Sequence, residues 1–189
     1  SFETSLRTGM DVLVAMTSVL VKTGSEFKEH SRKKSALKHF LHPAEAYRVT
    51  RASMRSKMEG RGMLPKDIWS PKAIVGWGPD TDIFRDLVYE YWGAYPYQFY
   101  ACTEAGVIAV QNWTRKGMTL IPQANFYEFI PETEWIRSKN DLFYEPKTVL
   151  LSEVQPDQRY ELVITGFFGM PFLRYRLGHL VRITAMADE

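Results

Sequence analysis

The stretch from Pro71 to Cys102 constrains the fold of this chain more than any other. Ala73-Ile74-Val75 is a short apolar run ending on Gly76-Trp77-Gly78-Pro79, which predicts a buried strand delivered into a tight turn. Asp80 or Thr81 then caps a helix on which Ile83, Phe84, Leu87, Val88, Tyr91 and Trp92 form one apolar stripe, stopped by Gly93. Tyr97 to Ala101 predicts the next strand. Parallel neighbours need a crossover of about helix length, so this order predicts a βαβ unit in a parallel sheet.

Upstream, Thr8-Gly9-Met10-Asp11 fits a capping box with Asp in the Glu position. Val12, Leu13, Met16, Val19 and Leu20 follow at helical spacing and predict a helix that Gly24 ends. After a polar stretch, Ser25 to Lys38, Pro43 stands at the first turn of a second helix closed by Gly60. Basic residues far outnumber acidic ones between Lys28 and Arg61. Such a run attracts a phosphorylated ligand or simply lines a solvated helical face, and no Gly-rich loop accompanies it to favour the first reading.

Downstream of Gly106 the pattern predicts strands and no helix. Val107 to Trp113, Leu120 to Ile130, Thr148 to Val154, Glu161 to Phe167 and Leu180 to Thr184 are rich in β-branched and aromatic residues. Lys116-Gly117, Ser138-Lys139-Asn140-Asp141 and Gln155-Pro156-Asp157 separate them as turns, giving a meander or a small barrel. The expected fold class is therefore α/β followed by mostly antiparallel β. Residues 1–113 hold the helices and the parallel layer, residues 114–189 the barrel-like part, with the junction near Trp113.

Composition narrows the function classes. The chain has 189 residues, 45% hydrophobic and 24% charged, with a net charge of +2, which excludes disordered and coiled-coil classes and offers no charge argument for nucleic acid. Its longest apolar run, Met10 to Val21, is interrupted by Asp11 and too short for a bilayer span. A single cysteine makes no internal disulfide, so a reducing cytoplasm is the expectation and no membrane partner is.

Chemistry concentrates in three places. Tyr100-Ala101-Cys102-Thr103-Glu104 lies at the carboxyl end of a predicted parallel strand, where open α/β sheets place ligands. An aromatic ring, a hydroxyl and a carboxylate there suit a nucleotide with magnesium, which needs only one or two carboxylates beside phosphate oxygens. The same letters also simply begin a turn. Gly76, Trp77 and Gly78 end the preceding strand of the layer, where glycines let backbone approach a flat ligand, or make an ordinary tight turn. Arg174 and Arg176 stand at alternate positions of a predicted strand segment, so they face an anion together or pair with Glu128 and Glu161. Cys102 reads as a small buried residue, because His30, His39, His42 and His179 stand in no nucleophile–base relation to it. His39 and His42 lack the partners of a metal set.

The order of these pieces resembles a known family. Tyr100-Ala101-Cys102-Thr103-Glu104 is similar to the Tyr-Ala-Ser-Ser-Glu motif of the Gretchen Hagen (auxin-responsive) acyl acid–amido synthetases. Asn125-Phe126-Tyr127-Glu128-Phe129-Ile130-Pro131 resembles the segment that follows it there, and Tyr160-Glu161-Leu162-Val163-Ile164-Thr165 its Tyr-Glu-Leu-Val run. Arg174-Tyr175-Arg176-Leu177-Gly178-His179 resembles its Tyr-Arg-Val-Gly-Asp motif. Phenylacetate–CoA ligases and the wider adenylate-forming superfamily share these elements more loosely.

The resemblance implies part of the N-terminal domain of an adenylate-forming ligase. Such an enzyme activates a carboxylic acid with ATP as acyl-AMP and passes the acyl group to an amine, or in the alternative to CoA. A non-catalytic nucleotide-binding relative is the other alternative. By motif, Tyr100 and Ala101 line the adenine, Thr103 contacts the α-phosphate, Glu104 holds Mg2+, and Gly76, Trp77 and Gly78 line the adenine and acyl pocket. Arg176 and His179 complete the nucleotide contacts. The family's ribose-binding Asp is His179 here. Its Ser/Thr/Gly-rich phosphate loop is not found in these residues, so the expectation is a piece of a longer chain that is inactive alone.

Overall fold

A computed structural model describes residues 2–30, 42–78, 80–167 and 171–187. His39, Pro79 and much of the polar stretch before Lys38 lie outside them. Two compact units divide the chain, 1–98 and 99–189, and the division falls within a strand, whereas composition places the junction near Trp113.

The first unit contains α1 (Phe2–Thr8), β1 (Val12–Met16), α2 (Thr17–His30), α3 (Pro43–Met58), α4 (Pro65–Ile68), β2 (Ala73–Trp77), α5 (Thr81–Trp92) and the start of β3 (Pro96–Cys102). β1 pairs with β2 in parallel from Val12↔Ala73 to Met16↔Trp77, and β2 with β3 in parallel from Ile74↔Pro96 to Gly76↔Gln98. The predicted strand–helix–strand unit is β2–α5–β3, and Gly93 closes α5 in the left-handed region.

The helix expected from Val12 to Leu20 is instead a strand followed by a helix. Val12 and Val14 are β-branched and pair with β2, and the helix begins only at Thr17. No capping box forms at Thr8, which ends α1 and donates its hydroxyl to the Thr4 carbonyl. Gly24 sits inside α2, where an added Cβ would lie 2.3 Å from Tyr91 Cδ2, so the residue is there for close packing of α2 on α5. Beneath these elements Leu6, Leu20, Leu64, Trp69, Ile74, Val88 and Trp92 form the core. The Trp69 and Trp92 rings stack at 6.3 Å, and their N–H groups donate to the carbonyls of Ser5 and Leu20.

In the second unit, the end of β3 pairs antiparallel with β4 (Gly106–Val110), and β4 with β5 (Thr119–Leu120). A separate antiparallel sheet runs β7-β6-β8-β9, from β6 (Phe126–Pro131), β7 (Val149–Leu150), β8 (Arg159–Gly166) and β9 (Phe172–Arg182). These sheets stay open and close no barrel among the described residues. β7 pairs over two positions only and then turns into a 3-10 turn, Leu151–Glu153, which is too short a ladder to carry the sheet round.

A helix also appears where none is expected: α6 (Glu132–Asn140). It lacks an apolar stripe, but Glu132 and Glu134 in its first turn and Arg137 and Lys139 in its last suit the helix dipole. The expected turn at Ser138 is its final turn. Tyr127, Phe129, Tyr160, Leu162 and Ile164 pack with Ile108 and Ala109 as the core of this unit.

Candidate active site

The Tyr100–Glu104 pentapeptide builds one side of a β-hairpin. Cys102 pairs with Gly106 across a three-residue turn, Thr103-Glu104-Ala105, and Gly106 has φ +65°. A three-residue hairpin loop needs a left-handed residue at its end, which glycine supplies without steric cost. The motif thus ends a strand that begins in a parallel ladder, but its own residues lie in an antiparallel one. That pairing aims Thr103 and Glu104 off the tip of the hairpin.

At the tip, Thr103 Oγ1 donates to Glu104 Oε2 at 2.9 Å. The Glu104 backbone N–H, the Thr103 hydroxyl, the Cys102 thiol and the Tyr175 hydroxyl together hold the Glu104 carboxyl below the usual carboxylate range. The group is ionised and reachable from solvent. It fits a hard divalent cation, which takes oxygen ligands and keeps several waters. Among the described residues no cluster of three or more His, Cys, Asp or Glu could hold a metal ion alone, so any cation there needs oxygens from a ligand.

Strand β9 supplies the facing groups. Its pairing with β8 slips between Glu161 and Val163, opposite the segment holding Leu177, Gly178 and His179. Gly178 takes φ +72° in that bulge, and a Cβ there would meet nothing within 4 Å. The glycine is needed for its dihedral, not for space, and the bulge re-aims the side chain after it. His179 Nδ1 lies 2.5 Å from the Tyr100 hydroxyl, with the rings 5.6 Å apart and tilted. Burial, with Cys102 and Glu104 nearby, pushes the Tyr100 phenol well above its ordinary pKa, so it keeps its proton. Tyr100 therefore meets His179 and Glu104 meets Tyr175, with Thr103 on the Glu104 carboxylate and Ala101 exposed between Tyr100 and Cys102.

The two arginines take the second of the readings open to them. Arg174 Nε donates to Glu128 at 3.1 Å, and Arg176 donates to the buried Glu161 and to Ser138 of α6. Arg176 is thereby held against a carboxylate within its own sheet. Cys102 is half-buried, and burial pushes its thiol up, away from the thiolate a nucleophile requires. His42 caps α3 through Nδ1.

In the first unit, Gly76-Trp77-Gly78 rests on a buried pair of hydroxyls that the sequence does not advertise. Thr17 and Thr81 hydroxyl oxygens lie 2.9 Å apart, Thr81 donates to the Gly78 carbonyl at 2.9 Å, and Thr17 to the Trp77 carbonyl at 3.4 Å. A Cβ on Gly76 would come within 2.7 Å of Thr17 Oγ1, so that glycine leaves room for the hydroxyl.

Asn125 joins the site although nothing in its sequence context marks it as a site residue. Its amide donates to the Ala105 carbonyl of the hairpin turn at 3.0 Å, while its oxygen occupies the space a Cβ on Gly166 would need, 2.4 Å away. Tyr175 was likewise visible only as part of a motif. The spacing of two such motifs carries no information on which side chains touch.

AtGH3.15 acyl acid amido synthetase, solved in complex with 2,4-DB, superposes with a TM-score of 0.63 over 96% of this chain and 35% of its own, at 19% identity. A second structure of GH3.15 gives 0.64 at 18% identity. The fold is accordingly that of the acyl acid amido synthetases over most of the chain.

Sequence carries the relation further in the later half, where residues 118–189 match the GH3 family central domain. Indole-3-acetic acid-amido synthetase GH3.10 of Arabidopsis thaliana is 41% identical over 71 residues, 35% of this chain and 12% of that protein. Jasmonoyl–L-amino acid synthetase JAR4 of Nicotiana attenuata is 39% identical over 64 residues, 34% and 10% respectively. Residues 118–189 are thus similar to the GH3 family central domain, as the order of the motifs predicts, and the chain spans a small part of those relatives' length. The matched stretch contains Asn125–Pro131, Tyr160–Thr165 and Arg174–His179, whereas the Tyr100–Glu104 hairpin precedes it.

Proposed function

We propose that this protein serves an ATP-dependent acyl acid–amido synthetase, and that the Tyr100–Glu104 hairpin with β9 is part of its nucleotide site. The observation that carries the reading is the ionised Glu104 at the hairpin tip, with the Thr103 hydroxyl on it and Tyr175 and His179 beside the same hairpin. The carboxylic acid's oxygen attacks the α-phosphorus of ATP, forming a C–O–P linkage while the bond to pyrophosphate breaks. The amino group of an amino acid then attacks the acyl carbon, AMP leaves with the C–O electron pair, and the nitrogen loses a proton.

In this reading Glu104 holds the Mg2+ that accompanies the nucleotide, which would neutralise charge on the phosphates. Thr103 stands next to it as a donor for a phosphate oxygen, Tyr100 and Ala101 line the base, and His179 meets the sugar. Arg176, with Nε and Nη2 engaged by Glu161 and Ser138, acts by fixing β9. The helical and parallel part to residue 113 and the β part from 114 belong, in this reading, to one adenylation domain. A single free cysteine suits work in the cytoplasm.

The experiment is ATP–pyrophosphate exchange by the protein at its natural length, over a panel of carboxylic acids, followed by product analysis with amino acids or CoA as acceptor. Acid-dependent exchange, an amide product and a loss of about a hundredfold or more in Glu104→Gln are expected. Exchange that is indifferent to Glu104→Gln would remove the hairpin from the site, and a thioester product would move the protein to the CoA ligases.

A further inference from the structure

Tyr100 and His179 join the hairpin to β9 through the 2.5 Å contact between the phenol and Nδ1. A phenol is the stronger acid and a neutral imidazole nitrogen the stronger base, so the phenol donates and Nδ1 accepts. The hydrogen bond made by one ring nitrogen sets which nitrogen bears the proton. With Nδ1 spent on Tyr100, the proton sits on Nε2, and the imidazole offers an incoming sugar one N–H donor and no acceptor. A carboxylate at the same position would accept from two hydroxyls at once. Gly178 and its bulge hold the ring in this direction, so the restriction belongs to the backbone as well as to the side chain.

We infer that the Tyr100–His179 clasp is a specificity device, one that makes the nucleotide site tolerate a deoxyribose in place of a ribose. The inference rests on the nucleotide reading above and names the sugar selectivity of that same site. Neutral hydrogen bonds contribute little net selectivity, whereas bonds to a charged acceptor contribute several-fold more.

Two measurements on the protein at its natural length test it. Imidazole 15N shifts in the free chain at pH 8 should show His179 as the Nε2–H tautomer, and Tyr100→Phe should relax it to a mixture. A predominantly Nδ1–H ring in the unsubstituted chain overturns the clasp. Calorimetric titration with AMP, 2′-deoxy-AMP and 3′-deoxy-AMP in the presence of Mg2+ should show less than about tenfold preference for the ribose form, rising to about ten- to a hundredfold in His179→Asp. Strong rejection of both deoxy forms by the unsubstituted chain overturns the inference and leaves the nucleotide reading standing. Absence of AMP binding in the unsubstituted chain and in His179→Asp overturns that reading and this inference with it.

Discussion

Glu104 and Asp67 are two carboxylates kept ionised by opposite means. Glu104 is only partly buried, and donors from its own hairpin together with the Tyr175 hydroxyl stabilise its charge. Its folded-state pKa lies below the unfolded value, so the hairpin's hold on it is present above that value and is lost as pH falls through the folded one. A 13C titration of the Glu104 carboxyl should therefore give a midpoint below that of a glutamate in the unfolded chain, and Thr103→Val should raise it. Asp67 is wholly buried. Burial pushes its pKa up, but the two-pronged contact from Arg61 at 2.7 and 2.8 Å and the Leu64 N–H at 2.8 Å outweigh this and bring it down. Asp67→Asn would leave Arg61 with Glu59 and weaken the acceptor for the Leu64 N–H, so it should lower stability by about 1–3 kcal/mol in urea unfolding at neutral pH. That difference should shrink as pH falls through the lowered pKa of Asp67, since protonation of the carboxyl removes the same pair.

At the scale of elements, glycines mark where packing or dihedral overrides propensity. Gly24→Ala would gain about 1 kcal/mol on helix propensity alone. Against the Tyr91 ring the added methyl cannot be placed, and the net result should be a loss of about 1–3 kcal/mol, read from thermal or urea unfolding. Gly178→Ala meets no atom yet carries the left-handed φ, so it should cost about 1–2 kcal/mol and disturb the His179 ring shifts. The same contrast explains which elements were legible. The β2–α5–β3 unit has a continuous apolar stripe between two β-branched runs and reads directly from the letters. β1 does not, because Val12, Leu13 and Met16 satisfy helical and strand periods alike, and pairing with β2 decides between them. α6 is invisible to a search for apolar periodicity, since it is polar along nearly all its length.

For the whole molecule, function and stability should separate under substitution. Glu104→Gln and His179→Asp act at a partly buried and an exposed side chain, and should move the urea midpoint far less than they move exchange and nucleotide binding. Gly166→Ala should displace Asn125 from the Ala105 carbonyl and cost about 1–3 kcal/mol, loosening the hairpin that carries Glu104. The sequence alone determined the parallel layer, the β-rich second half and the family resemblance. Each rests on local patterns, an apolar period or an ordered run of motif letters, and a local pattern survives in one dimension. Only the tertiary structure decided that the sheets stay open, that Arg174 and Arg176 spend their charge on Glu128 and Glu161, and that Tyr100 closes on His179. Those outcomes depend on strand register and on a bulge, which set the partners of residues tens of positions apart, and no spacing along the chain encodes that distance.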